Sequence, residues 1–399
     1  MDPSQRPRRL LVVMPSWLGD AVMATPTLRR LREGLPGAFI GALCRPGVEV
    51  VLEGTGLVDE VHVERGGGMM GPKHAAAKIR PRLYDTALLL TNSFSTALAV
   101  RMGGVPRRIG YDRDARGLLL THAMPPVRDP AIRSRYAPVS AVDSYWSLSA
   151  WALEPGRRAS ELEPARVGAT LLPAGTCMEL GLTPRDVEGA ERVLSHAAAG
   201  DGGLAPLAIL NPGGNNPAKR WPAERFAKVG AMLVRERGMV VAVNGSPGEV
   251  EITRSIVGAI ESVIGSGDGA RVLDLPSIGI NVGTLKALVA RAAIMVTNDT
   301  GPRHFAAALG TPLVSIFGPT DHRWTIVPTR PGAMEVMLRA DPTLPEAEVA
   351  DEHPERCAVD RITLEQVVEG IDRALGHAGL GEKGPGQASA IGGAAAAPV

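Results

Sequence analysis

Short apolar runs alternate with stretches of helical period through most of this chain, and the alternation runs twice. In the first pass, residues 10–14, 38–44, 59–64 and 85–91 read as buried strands. Thr25-Pro26 looks like an N-cap followed by proline at the first helical position, opening a helix that closes near Gly34 and Pro36; a second helix fits residues 94–102. Residues 153–203 break the rhythm with Arg, Glu, Pro and Gly. They hold one helical stretch, 184–199, and end in a Gly- and Ala-rich linker. The alternation then restarts, with strands at 207–210, 239–244, 272–275, 294–297 and 313–317. Helices fit 222–236, 249–260, 285–292 and 301–309. Strand–helix repetition of this kind predicts parallel sheets covered on both faces, so the expected fold is α/β, with two Rossmann-like doubly wound domains and a cleft between the carboxyl ends of their strands.

The 399 residues are enough for about two domains. We expect a first domain over 1–175, a linker region over 176–204, a second domain over 205–361, a closing helix over 362–375 and a disordered Gly/Ala-rich tail over 376–399. The net charge of +1 argues against nucleic-acid binding as the general business of the surface. Cys44, Cys177 and Cys357 are odd in number and far apart, which is no disulfide framework and fits a reducing compartment. The apolar run after Arg6-Pro-Arg-Arg9 stops at Pro15, too soon for a signal peptide, and no run approaches bilayer length. A soluble cytoplasmic protein, monomeric, is the expectation.

The most telling turn lies at Asn298-Asp-Thr-Gly301, between an apolar strand and an Ala-rich helix. Free backbone N–H groups and the positive helix end make such a turn a natural anion site, with His304 one turn in on the face that follows from Thr300. Asn211-Pro-Gly-Gly leaves another strand, and Lys219-Arg220 follow it, two cations suited to a diphosphate; an exposed basic turn is the plain alternative. Asn244-Gly-Ser-Pro-Gly-Glu249 could carry Glu249 to ribose hydroxyls, and capping of a helix start by Ser246 and Glu249 explains the same residues. Phe317-Gly-Pro-Thr-Asp321 could line the same cleft or form a simple Gly-Pro turn.

The first strand ends in Pro15-Ser-Trp-Leu-Gly-Asp20, which lacks the dinucleotide fingerprint. A carboxylate there, after a flexible Gly19, would repel a diphosphate, so Asp20 suits the role of general base toward a hydroxyl; capping a short helical turn is its other reading. Ser16 shares that loop. Asn92-Ser93 ends a strand on the cleft side of the first domain. Arg107, Arg108, Arg113 and Arg116 form a basic group, a solvated face or a contact for an anionic acceptor. His322 and His353 have no partners at metal-ligand spacing, so no metal site is expected.

Taken together, Pro15-Ser-Trp-Leu-Gly-Asp20, Asn211-Pro-Gly-Gly with Ala218-Lys-Arg-Trp-Pro222, and Asn298-Asp-Thr-Gly301 with His304-Phe-Ala-Ala307 resemble the ADP-heptose:lipopolysaccharide heptosyltransferases of glycosyltransferase family nine. Asn92-Ser-Phe94 and Pro106-Arg-Arg-Ile-Gly-Tyr111 are similar to the heptosyltransferase II branch. The likeness runs from about residue 9 to 375. It implies a GT-B architecture, ADP-heptose as donor, an inverting transfer to the inner core of lipopolysaccharide, and no metal or other cofactor. It also implies a lipid-anchored saccharide acceptor, hence peripheral work at the inner face of the inner membrane.

By the same resemblance Asp20 is the base and Lys219 holds the diphosphate. Thr300 and Gly301 offer amides to phosphate, Asp299 meets donor-sugar hydroxyls, His304 supports that site, and Glu249 faces the ribose. Ser16, Asn92 and Arg108 are the acceptor candidates. Two departures stand out: Pro302-Arg303 adds a cation near the helix start, and the Cys-rich loop of the II branch shrinks to Glu355-Arg-Cys-Ala-Val-Asp360. A related transferase with another nucleotide sugar, or a non-catalytic sugar-nucleotide binder, are the competing readings. A dehydrogenase fits less well, since neither half carries the glycine fingerprint.

Overall fold

The computed structural model describes residues 6–129, 135–197, 205–265, 271–330 and 332–379. The first sheet holds β1 (Arg9–Val13), β2 (Phe39–Cys44), β3 (Glu60–Val63), β4 (Thr86–Leu89), β5 (Arg107–Tyr111) and β6 (His122–Met124), in the spatial order β3-β2-β1-β4-β5-β6. The second holds β7 (Leu207–Asn211), β8 (Val240–Val243), β9 (Val272–Asp274), β10 (Ala292–Asn298), β11 (Leu313–Phe317) and β12 (Glu335–Arg339), in the order β9-β8-β7-β10-β11-β12. Their strand pairs are parallel. Each half therefore starts at its centre, winds three strands one way, then reverses. The reversals fall between β1 and β4 and between β7 and β10, where the carboxyl ends of an open α/β sheet leave a crevice. The expected α/β class and paired doubly wound sheets are what is found.

In chain order the α-helices are α1 (Leu18–Met23), α2 (Thr25–Gly34), α3 (Glu49–Leu52), α4 (Gly71–Ile79), α5 (Phe94–Met102), α6 (Ala141–Leu153), α7 (Pro184–Leu194), α8 (Ala223–Arg237), α9 (Val250–Ile264), α10 (Leu275–Ile278), α11 (Val282–Arg291), α12 (Gly301–Leu309) and α13 (Leu364–His377). They cover the sheets, which is why β4, β7 and β11 are buried along their whole length and read as continuous apolar runs. Helix α7 packs on α11, and α13 packs on β10, β11 and β12. One apolar cluster runs through both halves, from Leu10, Met14, Ala21 and Val22 to Phe305, Ala306, Ala307 and Ala308. Among the described residues no helix is long and apolar enough to cross a membrane.

Several expectations need correction. Thr25 does not cap α2: Ala24 is the N-cap, while the Thr25 hydroxyl donates to the Val22 carbonyl and accepts from the Glu179 amide. Helix α7 ends at Leu194, five residues early, where Ser195 caps it. Strands β5, β6 and β12 were not anticipated, because β5 opens on two arginines and β12 is bounded by Glu335 and Arg339. Helix α13 continues through Gly376 to His377. The expected Gly/Ala-rich linker and tail fall largely in 198–204 and 380–399, outside the described residues.

Candidate active site

The first wall grows from β1. After Val13 the chain turns through Pro15, Ser16 and Trp17 into α1, where Asp20 is the third residue. Gly19 is not there for flexibility. A Cβ on it would lie 2.8 Å from His304 Nδ1 and 3.3 Å from Gly301 Cα, so glycine lets α1 and the start of α12 touch. Asp20 is half-buried beside this contact, and its carboxylate accepts no hydrogen bond from any described residue. Burial, then the charge of Asp299, pushes its pKa up to about 6 against an opposing pull from Lys219. Asp20 thus feels charges on the opposite domain. The partly buried Tyr145 of α6 also feels Asp20, its phenol raised by burial first and by that carboxylate second.

The second wall is built at the reversal between β7 and β10. Lys219 Nζ donates to Asp299 Oδ2 at 2.9 Å, and Thr325 Oγ1 donates to Asp299 Oδ1 at 3.4 Å. Burial alone would raise the Asp299 pKa, but the charges of Arg303 and Lys219 and the Lys219 hydrogen bond hold it below the usual range. Asp299, for which the family resemblance implies a contact to donor-sugar hydroxyls, is in this structure the anchor of Lys219. Asparagines set the loop positions. Asn211 Nδ2 donates to Thr300 Oγ1 (2.7 Å), and Asn211 Oδ1 accepts from Asn244 Nδ2 (2.6 Å). Asn298 Nδ2 donates to the Pro212 carbonyl (2.8 Å) while its Oδ1 accepts from the Trp221 amide (3.2 Å). All three are buried and satisfied, which fixes the turns rigidly. All three lie inside the sequence motifs, where nothing local marks their part in holding the turns.

Thr300 is the N-cap of α12, and Pro302 in the first turn has no N–H, so the amides of Thr300 and Gly301 lead the helix. His304 is buried; its Nδ1 lies 3.2 Å from the Thr300 carbonyl. Burial and Arg303 depress its pKa to about 4, so the ring is neutral near pH 7 and Nδ1 donates to that carbonyl. Nε2 is then left as a buried acceptor with no partner among the described residues. Arg303 is no free cation at the helix start. It is fully buried, donates from Nε to Glu335 at 2.7 Å and from Nη1 to the Thr325 carbonyl at 2.7 Å, and stacks over Phe317.

Glu249 behaves as its capping reading had it. One oxygen accepts from the Ser246 amide and hydroxyl at 2.8 Å each, the other from the Gly214 amide at 2.7 Å. A Cβ at Gly213 would meet that carboxylate at 2.4 Å. Glu249 therefore braces the 211–214 loop, and any ribose contact would have to share oxygens already in use. Burial raises its pKa, yet these hydrogen bonds and Arg220 leave it lowered.

Arg108 is a clear correction. It sits near the amino end of β5, away from the carboxyl edge, and its guanidinium donates to the carbonyls of Leu119 (2.6 Å), Val105 (2.7 Å) and Pro106 (3.0 Å). The arginine on the site edge is Arg116. Fully buried, it donates to the carbonyls of Tyr111 and Thr91 and to Asn92 Oδ1 (3.2 Å), so it positions Asn92. Burial lowers its pKa to about 10, still charged at neutral pH. Ser16 lines a cavity of about 260 Å³ with Thr91, Ser93, Thr96, Arg45 and Glu64. A larger cavity of about 600 Å³ opens beyond β11 and β12, where Phe317, Gly318, Thr320 and Asp321 form one side.

Two doubly wound halves face each other here, with the Asp20 carboxylate on one rim and a lysine and helix start on the other. That is the GT-B class of glycosyltransferase. Residues 169–355 match the model of glycosyltransferase family 9 (heptosyltransferase). The lipopolysaccharide heptosyltransferase 2 of Salmonella typhimurium is 28% identical over 327 residues, 79% of this chain and 84% of that one. The lipooligosaccharide heptosyltransferase 2 of Haemophilus influenzae is 25% identical over 323 residues, covering 79% and 85%. Among solved structures, the E. coli ADP-heptose LPS heptosyltransferase II superposes with a TM-score of 0.71 at 25% identity, covering 92% of this chain and 98% of that chain. A family 9 glycosyltransferase from Veillonella parvula gives the same TM-score at 20% identity, covering 92% and 97%. Residues 169–355 are thus a family 9 glycosyltransferase domain, and the chain is a glycosyltransferase similar to the lipopolysaccharide heptosyltransferases.

Proposed function

We propose that the protein is an inverting heptosyltransferase that moves heptose from ADP-L-glycero-β-D-manno-heptose to the inner core of a lipopolysaccharide. The acceptor oxygen attacks the anomeric carbon, its proton passes to Asp20, and the bond to the diphosphate breaks with its electron pair leaving on ADP. Lys219 leaves part of its pairing with Asp299 to meet the departing diphosphate, and the Thr300 and Gly301 amides hold phosphate oxygens. These groups supply the positive charge the leaving group needs, so the reading calls for no metal. His304 fixes the Thr300 turn through Nδ1, and Ser16 and Asn92 lie on the acceptor side.

The observation that carries the reading is Asp20: a carboxylate without a hydrogen-bond partner among the described residues, its pKa raised into the working range, facing the Lys219–Asp299 pair. The relatives' names support the sugar and the acceptor. The test is a panel of ADP-, UDP- and GDP-sugars read by thermal shift, since a ligand that binds only the folded state raises the melting temperature. ADP-heptose should give the largest shift, Lys219→Ala should weaken its binding about 10- to 100-fold, and chelation should leave turnover unchanged. Preference for UDP or GDP, or retention of anomeric configuration in the product, would overturn the assignment.

A further inference from the structure

Four large apolar side chains stand in solvent on the turns and helix start at the carboxyl edge of the first sheet: Trp17 is 65% exposed, Met69 97%, Met70 48% and Phe94 43%. Trp17 follows β1, Met69 and Met70 follow β3, and Phe94 follows β4. The loops converge on one place, because Ser16, Gly68, Ser93 and Ser95 line the same 260 Å³ cavity. Trp17, Met69 and Phe94 are each the chain neighbour of a lining residue, so they flank that cavity. Arg45 also lines it, and Arg45, Arg65 and Lys73 on the same edge are exposed and ion-pair with no described residue.

We propose that this rim is the surface by which the protein docks on an anionic membrane. The proposal rests on the reading that the acceptor is lipid-anchored. Apolar tips with an indole among them suit the headgroup boundary, and unpaired cations suit anionic lipid; the two signals together give the stable peripheral attachment that either alone does not. A protein partner seated on the same tips would cover the cavity, whereas a bilayer below them presents the headgroup sugar to it. Three separate loop tips, one running through Gly66-Gly-Gly68, also offer no continuous face for a second folded surface.

The experiment is flotation of the full chain with vesicles of phosphatidylcholine alone and of phosphatidylcholine mixed with phosphatidylglycerol. The wild type should float with the mixed vesicles and lose them at high salt. Met69→Ser with Met70→Ser, and separately Arg65→Ser with Lys73→Ser, should each cut the bound fraction about tenfold. Thermal shift with ADP-heptose should be the same in all three proteins, which reads the donor site independently. Wild type that fails to float, or flotation unchanged in both variants, overturns the docking surface. So does a dimer that Met69→Ser with Met70→Ser dissociates in the absence of flotation, since the rim would then belong to a second copy. Flotation that follows the variants while no ADP-sugar binds would leave the docking surface standing and remove the heptosyltransferase reading instead.

Discussion

Asp20 accepts no hydrogen bond from a described residue, while burial and the charge of Asp299 push its pKa up to about 6. An unfolded aspartate titrates near ~3.9, so the folded state holds this proton more tightly across roughly pH 4 to 6. Stability therefore falls as pH rises through that window, and above it the cost reaches up to about 3 kcal/mol. Asp20→Asn should raise the melting temperature at pH 8 and change little below pH 4. The same substitution should lower turnover by about 10²- to 10⁴-fold. In the wild type, kcat/KM should climb with pH to a plateau above about 6. A destabilised Asp20→Asn, or a flat profile across that range, would separate this carboxylate from the chemistry. The two arginines divide in another way. Arg116→Ala leaves the Thr91 and Tyr111 carbonyls without their donor and Asn92 without its guide, so both stability and the acceptor KM should suffer, the former by about 3 kcal/mol. Arg108→Ala should leave the acceptor KM unchanged; a rise would return Arg108 to the site. Asp20 was legible because its turn follows an apolar run and so must lie at a strand's carboxyl edge. Arg108 was misplaced because its strand has no apolar pattern from which its ends could be read.

Between α1 and α12 the decisive feature is how near two helix starts come. The chain has glycine at position 19 because His304 and Gly301 occupy the space a side chain would need. Gly19→Ala must push α12 away or turn the His304 ring, at a cost of about 1–3 kcal/mol. Since Thr300 and Gly301 lead that helix, donor affinity should fall as well. A urea midpoint and an ADP-heptose titration measure the two effects, and an unchanged midpoint would show that the helices are free to separate. The elements themselves were readable wherever their ends are marked chemically. Helix α5 starts where Ser93 accepts from the Thr96 amide, and α12 ends at Gly310 in the left-handed region; both were expected at their observed bounds. What the sequence could not reveal was the α1–α12 contact, because it joins residues some 280 positions apart and each looks locally like an ordinary turn.

Across the whole molecule the two walls are useful only at a fixed separation, and a buried cation helps hold it. Lys286 of α11 is fully buried. Its ammonium donates to the Val50 carbonyl of α3 at 2.8 Å and to the Gly181 carbonyl at 2.9 Å, with Asp186 of α7 at 3.3 Å. One charge thus ties a helix of the first half, the connecting segment and the second half. Nothing local announces this, since a lysine in a helical stretch reads as surface. Glycines at 181, 189 and 283 fit the same region, where a Cβ would meet Gly54, Thr284 or Asp186 at 2.0–2.3 Å. Lys286→Met keeps the apolar stem but leaves two carbonyls and a carboxylate short of a donor. Asp186 retains the Thr183 amide, so the loss is partial, and about 3 kcal/mol is expected. The halves should loosen before they unfold: KM for donor and acceptor should both rise, although Lys286 touches neither wall. If instead the urea midpoint and both KM values match the wild type, the separation of the walls is set elsewhere, and the apolar cluster shared by α1 and α12 would have to hold it alone.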